Sequence, residues 1–218
     1  MDNKSVLESL NKAKENSKKR NFSQTYDLII TLKNLDLKKP TEQVDMYVTL
    51  HFDRGRKTKV CALIGPELEA NAKLNCDSSV LSSDFVRYAK DKKLAKKLCE
   101  ENDFFIAQAN IMPQVATTFG RVLGPKGKMP NPKAGCVVPP NANLKPLVER
   151  LQKLIRLTAK TSLMIQIAVG KEGMADEQVV DNVLTIYTAL IRALPGETNN
   201  IRKVFLKTTM GKPVEVKL

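Results

Sequence analysis

Apolar residues recur along this chain in two rhythms, and the change from one to the other marks out its organisation. Near the start, Val6, Leu7, Leu10 and Ala13 fall on one face of an amphipathic helix predicted over Ser5 to Lys19. Lys12, Lys14, Lys18, Lys19 and Arg20 crowd its end, where cations also suit the helix macrodipole, so part of that cluster needs no ligand. Two alternating runs follow, Tyr26, Leu28, Ile30, Leu32 and then Val44, Met46, Val48, Leu50, which predict half-buried antiparallel strands.

From Lys59 short continuous apolar runs alternate with helical stretches. Val60 to Ile64, Val80 with Leu81, Asp103 to Ala109 and Cys136 to Val138 predict strands. Glu67 to Leu74, Asp84 to Glu101, Met112 to Leu123 and Leu144 to Ile155 predict helices between and after them. Buried strands alternating with helices imply a parallel sheet covered on both faces, a Rossmann-like three-layer α/β/α unit. After Arg156 strict alternation returns at Leu163, Ile165, Ile167 and Val169; a helix from Asp176 to Leu194 stops at Pro195-Gly196, and Ile201 to Leu206 and Val214 to Leu218 alternate again. The alternating strands from both ends can complete one antiparallel sheet. The expected architecture is therefore an α+β domain of residues 1–58 plus 157–218, interrupted by an α/β domain of residues 59–156. The two crossings, near Arg56 to Lys59 and Arg156 to Lys160, would form a hinge.

Charge sharpens the picture. The net charge of +13 favours polyanions, with nucleic acid the leading partner. It divides as +4 for residues 1–58 (12 basic against 8 acidic), +7 for 59–156 (16 against 9) and +2 for 157–218 (8 against 6), so both expected domains are basic. No apolar run approaches the roughly 20 residues needed to cross a bilayer, and the N-terminal residues lack the apolar core of a signal peptide, so no membrane role is expected. Cys61, Cys76, Cys99 and Cys136 are irregularly spaced without a C-x-x-C pair and read as reduced thiols.

An enzyme reading, a nucleotide- or RNA-processing activity using the α/β domain, finds little support. His51 is the sole histidine, placed within an alternating strand without the partners of a metal site or catalytic triad. Gly120 to Lys128 lacks P-loop spacing, and Gly65-Pro66-Glu67 stands where a dinucleotide fingerprint would begin. Lys90, Lys92, Lys93, Lys96 and Lys97 spread around their helix as a solvated face. Aromatics make up only 5%, too few for reading single strands by base stacking, so recognition of a folded RNA's shape and backbone fits better.

Two segments remain. Phe119 to Gly135, FGRVLGPKGKMPNPKAG, carries four glycines, three prolines, Arg121, Lys126, Lys128 and Lys133 and no acid, so no regular helix or strand is expected to run through it. Lys207-Thr208-Thr209-Met210-Gly211-Lys212-Pro213 reads as a turn whose hydroxyls, exposed amides and lysines would suit ribose 2′-OH and phosphate groups.

Together, Gly120-Arg121-Val122-Leu123-Gly124-Pro125-Lys126-Gly127 running into Met129-Pro130-Asn131-Pro132-Lys133-Ala134-Gly135, then Ala168-Val169-Gly170-Lys171, then Thr209-Met210-Gly211, closely resemble the ribosomal protein L-one family over nearly the whole chain. Gly211-Lys212-Pro213 follows the archaeal and eukaryotic form while Pro-Asn-Pro-Lys-Ala-Gly looks bacterial, a mixture that fits an archaeal member. The resemblance implies a constituent of the large ribosomal subunit that binds its rRNA, forms the mobile side stalk near the tRNA exit site and assists release of deacylated tRNA. It also implies a translational repressor of its own mRNA, cytoplasmic, monomeric off the ribosome, without a cofactor and without catalysis. Carried over by position, the RNA-binding candidates are Phe22, Thr25, Gly170, Lys171, Lys203, Lys207, Thr209, Met210 and Gly211, in the terminal domain. Arg121, Lys126, Lys128 and Lys133 form a secondary contact or a purely structural loop.

Overall fold

A computed structural model describes residues 1–18 and 20–217. Lys19 and Leu218, where the expected first helix and last strand ended, lie outside the described residues. The elements run α1 (Asn3–Glu15), β1 (Thr25–Leu32), β2 (Val44–Thr49), β3 (Val60–Ile64), α2 (Glu69–Asn75), β4 (Ser78–Leu81), α3 (Phe85–Lys90), α4 (Lys92–Glu101), β5 (Phe104–Gln108), α5 (Met112–Leu123), β6 (Val137–Val138), α6 (Leu144–Lys153), β7 (Leu154–Ala159), β8 (Met164–Lys171), α7 (Asp176–Ala193), β9 (Ile201–Thr208) and β10 (Val214–Val216). Two compact units emerge: Met1–Arg56 with Lys153–Leu218, and Lys57–Gln152.

The unit built from both ends holds a four-stranded sheet in the order β10-β9-β1-β8, with β1 antiparallel to both neighbours. Register explains the alternation: Leu28 lies between Ile167 and Leu206, and Ile30 between Ile165 and Val204. These side chains join Val6 and Leu10 of α1 and Val179, Val183, Ile186 and Leu190 of α7 in one buried core. The opposite sheet face, carrying Asp27, Ile29 and Thr31 from β1, stays half-exposed.

Three expectations are corrected here. The helix predicted to reach Ile155 ends at Lys153, and Leu154–Ala159 turns directly into a strand. That strand pairs antiparallel with β2, so the alternating strands form a four-stranded sheet plus a separate β2-β7 ribbon instead of one sheet. Apolar spacing in LVERLQKLIRLTA satisfies both periods across the junction, which hides the switch. The first helix likewise ends at Glu15, short of the predicted limit.

Residues 57–152 hold a parallel sheet in the order β4-β3-β5-β6. Every residue of β3 is buried, as a central parallel strand requires. One face packs Cys61, Leu63, Phe105 and Ala107 against Phe85, Cys99, Val115 and Phe119 of α3, α4 and α5. The single helix expected from Asp84 to Glu101 is instead two: Asp91 interrupts it, its carboxylate accepting from the backbone N–H groups of Lys93 and Leu94 and capping α4. The helix expected over Met112 to Leu123 forms with those bounds as α5 and stops inside the Gly/Pro-rich stretch. Beyond that point Gly127 and Gly135 take the left-handed backbone, at φ 65° and 74°. Asn131 accepts through its side chain from the Lys133 N–H and through its carbonyl from those of Ala134 and Cys136. This folds the chain back to lay β6 beside β5.

The ribbon is pinned from its surface side. Asp45 accepts a bidentate pair from Arg156, at 2.8 and 3.0 Å, and meets the Lys160 ammonium at 2.6 Å. The Arg156 bonds, followed by Lys160, hold the Asp45 carboxyl down at about 2 against an ordinary 3.8. A carboxyl so depressed contributes its stability fully above the unfolded value and loses it as pH falls through the folded one. We therefore expect acid titration of thermal stability from pH 4 to 2 to show a loss on the order of 1–2 kcal/mol that Asp45→Asn abolishes.

Candidate nucleic-acid interface

The Thr209–Gly211 turn follows β9 and lies against the first residues of β1. Its three backbone N–H groups are all bonded within the protein: Thr209 N–H donates to the Thr25 carbonyl at 3.0 Å, Met210 N–H to Gln24 Oε1 at 3.1 Å, and Gly211 N–H to the Thr208 carbonyl at 3.1 Å. The amides expected to be exposed are thus spent. Among the described residues no donor reaches the carbonyls of Thr209, Met210 or Gly211. The turn presents acceptors and side chains, and such a surface suits hydroxyl donors better than phosphates.

Thr209 Oγ1 accepts from the Thr25 N–H at 3.0 Å, donates to the Thr25 carbonyl at 3.3 Å and lies 3.0 Å from Thr25 Oγ1, so an exposed and a half-exposed hydroxyl stand side by side. Gly211 cannot carry a side chain: a Cβ would sit 2.3 Å from Thr208 Oγ1. Phe22, in the segment before β1, and Met210 are exposed to 52% and 60%, large apolar groups left in water at this end of the sheet.

A polar junction supports the turn from beneath. Gln24 is 1% exposed and Thr208 is fully buried. Ser17 Oγ accepts from Gln24 Nε2 at 2.8 Å and lies 3.1 Å from Thr208 Oγ1. Glu172 accepts from both Gln24 Nε2 and the Gln24 backbone N–H, each at 3.1 Å. Sequence reasoning passed over Ser17, Gln24 and Glu172, because polar residues so far apart in the chain carry no local pattern, and it took the Thr208 hydroxyl for part of the exposed turn, whereas Thr208 ends β9 and is buried. Two nearby carboxylates are similarly occupied: Asp176 pairs with Lys14, and Asp27 lies beside Lys207 on the open sheet face. Burial raises the Asp27 carboxyl while Lys207 lowers it, the former prevailing. Burial, then Glu172 and Asp176, push the Tyr26 hydroxyl up to about 12, so it stays protonated.

The remaining candidates divide. Thr25 pairs in register with Lys171, which is half-exposed and joins the group. Gly170 does not, for it is buried, and a Cβ there would meet Val179 Cγ2 at 2.9 Å. A bulge sets this up: Asp27 faces Ala168 but Tyr26 faces Gly170, leaving Val169 as the extra residue. The Val169 carbonyl accepts from the buried Asn182 side chain of α7 at 3.0 Å. Gly170 is a packing residue between β8 and α7. Lys207 sits next to the turn, beside a hollow of about 230 Å³ lined by Asp27, Ile29, Gln166, Ile167 and Ala168. Lys203 pairs with Glu215 at 3.0 Å and lies five strand residues before Thr208, about 17 Å along the strand.

In the other unit, Lys128 points inward, donating to the carbonyls of Cys99 and Asn102 at 2.8 and 2.7 Å at the end of α4. Lys126 pairs with Glu100 at 3.1 Å, while Arg121 and Lys133 are exposed. His51 lies past the end of β2, not within it, and its Nδ1 stands 2.7 Å from Asp181 of α7. Burial pushes the thiols of Cys61 to about 12 and of Cys76 and Cys136 to about 11, unsuited to nucleophilic work. Among the described residues no cluster of His, Cys, Asp and Glu could hold a metal ion, and no helix is long and apolar enough to cross a membrane.

Because Gly170 serves packing, Gly170→Ala is expected to cost about 1–3 kcal/mol in thermal unfolding. Combined with Val179→Ala, the loss should be smaller than the sum of the two single changes; strict additivity would remove the assigned contact.

Comparison with known proteins adds a second line. A model of the Ribosomal protein L1p/L10e family matches residues 12–212. The large ribosomal subunit protein uL1 of Methanobrevibacter smithii is 42% identical over 212 residues, covering 97% of this chain and 98% of that protein. The protein of the same name from Methanothermococcus thermolithotrophicus is 38% identical over 216 residues, 99% of each chain, and that from Methanocaldococcus jannaschii 36% over 217 residues, 100% and 97%. With the match running from α1 to the residue after the Thr209–Gly211 turn, the chain belongs to the Ribosomal protein L1p/L10e family.

Proposed function

We propose that this chain is a structural component of the large ribosomal subunit, holding large-subunit rRNA through the end of the sheet where Phe22, Thr25, Lys171, Lys207, Thr209, Met210 and Gly211 meet. The observation that carries the reading is the turn whose N–H groups are all used internally. Its carbonyls, and the Thr25 hydroxyl that leans on Thr209 Oγ1, are acceptors set for 2′-OH donors, the group that distinguishes RNA from DNA. Phe22 and Met210 supply apolar surface for sugar edges, and Lys171 and Lys207 supply charge. Recognition is then by shape and ribose, not by base edges.

Membership in the family and the ribosomal names of the relatives point away from an enzyme. In this reading residues 1–56 and 153–218 form the rRNA-binding domain. Residues 57–152 form an accessory domain, with Arg121 and Lys133 available for a weaker contact and Lys126 and Lys128 largely given to its own structure. The protein works in the cytoplasm on the ribosome, in the side stalk near the tRNA exit site, where it assists departure of deacylated tRNA. Off the ribosome it is a monomer that represses translation by binding a similar structure in its own mRNA.

The test is binding to an rRNA fragment carrying the side-stalk helices, against an unrelated folded RNA of equal length, at low and moderately high salt. The stalk RNA should stay bound when the control is released. Thr209→Val and Met210→Ala should each weaken stalk binding, about tenfold, with thermal unfolding nearly unchanged. Replacing the RNA by DNA of the same sequence should abolish the preference. Equal binding of stalk and control RNA at both salt concentrations would reject the assigned interface.

A further inference from the structure

The buried carboxamide of Gln24 joins the turn, through Met210, to Glu172 at the end of β8. We infer that Gln24, paired with Glu172, is a positioning residue: it sets the Met210 backbone, and with it the RNA-facing acceptors, and its amide must be opposed by a single carboxylate. The inference rests on the rRNA interface proposed above and deepens it.

The geometry leaves one orientation for the carboxamide. Its oxygen faces a donor, the Met210 N–H, at 3.1 Å; its nitrogen faces acceptors, Ser17 Oγ at 2.8 Å, Glu172 Oε1 at 3.1 Å and the Lys18 carbonyl at 3.4 Å. A flipped amide would set N–H against N–H and oxygen against carboxylate. Glu172 closes the circuit, since its second oxygen accepts from the Gln24 backbone N–H at 3.1 Å and its own N–H donates to the Gln24 carbonyl at 2.9 Å. The two residues are thus joined through side chains and backbone across 148 positions of sequence, Gln24 just before β1 and Glu172 just after β8.

A carboxylate at position 24 would keep the acceptor for Met210 but point its other oxygen at Glu172. Two carboxylates in contact at a nearly waterless site cannot both stay charged without moving apart. Moving the buried group moves Met210, because among the described residues nothing else holds that N–H. Exchanging the two chemistries restores the bonds to Met210 and between the two side chains; the Ser17 hydroxyl turns from accepting to donating, and only the long 3.4 Å bond to the Lys18 carbonyl is lost. With Gln24→Glu and Glu172→Gln together, the new carboxylate accepts from Met210 and from the new carboxamide, whose oxygen takes the position 24 backbone N–H. The exchange leaves net charge unchanged, so it separates positioning from simple attraction to a polyanion.

The experiment compares Gln24→Glu, the double exchange and Thr209→Val for binding to the stalk rRNA fragment, with thermal unfolding and hydrogen exchange of the Met210 amide measured on each. Gln24→Glu should weaken binding about ten- to hundredfold and speed Met210 exchange. The double exchange should bring affinity back to within about threefold and restore slow exchange. Should Gln24→Glu fail to fold, Ser17→Ala takes its place, removing the hydroxyl shared with Thr208, with weaker binding and faster Met210 exchange expected again. If Thr209→Val weakens binding while Gln24→Glu does not, or the exchange fails to restore a folded protein's affinity, the positioning role is overturned and the interface survives. If Thr209→Val has no effect, the interface itself is rejected, and the inference with it.

Discussion

Strand β1 is the constraint on which the terminal unit depends. It is paired on both edges, to β8 and to β9, and its alternate residues face a core closed by α1 and α7. A one-residue slip would turn Leu28 and Ile30 out to water and Asp27 and Ile29 into the core, so the register has no nearby alternative. The proposed interface hangs from the start of this strand. Thr25 bonds Thr209, Gln24 bonds Met210 and Glu172, and the bulge opposite Tyr26 sends β8 outward to Lys171 after Gly170 has passed beneath α7. The placement of the turn is therefore inherited from packing deep in the core.

How much of this was legible in the sequence follows from the range of the forces involved. Period-two alternation at Tyr26, Leu28, Ile30 and Leu32 is a local record of a half-buried strand, and it was readable. The β3 run was readable for the opposite reason, being apolar at every position. Leu154–Ala159 was not, since its alternation overlaps the tail of a helical pattern and only pairing with β2 decides between them. Asp91 looked like one more charge in a basic helix, yet its carboxylate satisfies two N–H groups and divides the helix.

The site shows the same division. Resemblance pointed to the Thr209–Gly211 turn and to Phe22, and the fold gathers these with Thr25 at one end of the sheet. It could not tell that Gly170, next to the half-exposed Lys171, is a packing residue, because glycine serves close approach to a helix as readily as to a ligand. Nor could composition tell which cations are free. Lys128 spends its charge on helix carbonyls, Lys203 faces Glu215, and Lys14 faces Asp176, so the net excess overstates what a polyanion meets.

The internally bonded turn bears on the speed of association. A loop that must fold onto its ligand adds an ordering step after encounter, and its capture rate falls with the time that step takes. Here the amides are already bonded, the supporting glutamine is already buried, and the glycine admits no looser packing. Under the proposed function an RNA meets a finished surface, so its capture would be governed by diffusion and long-range attraction. Residence time then becomes the quantity that differs from one bound structure to the next.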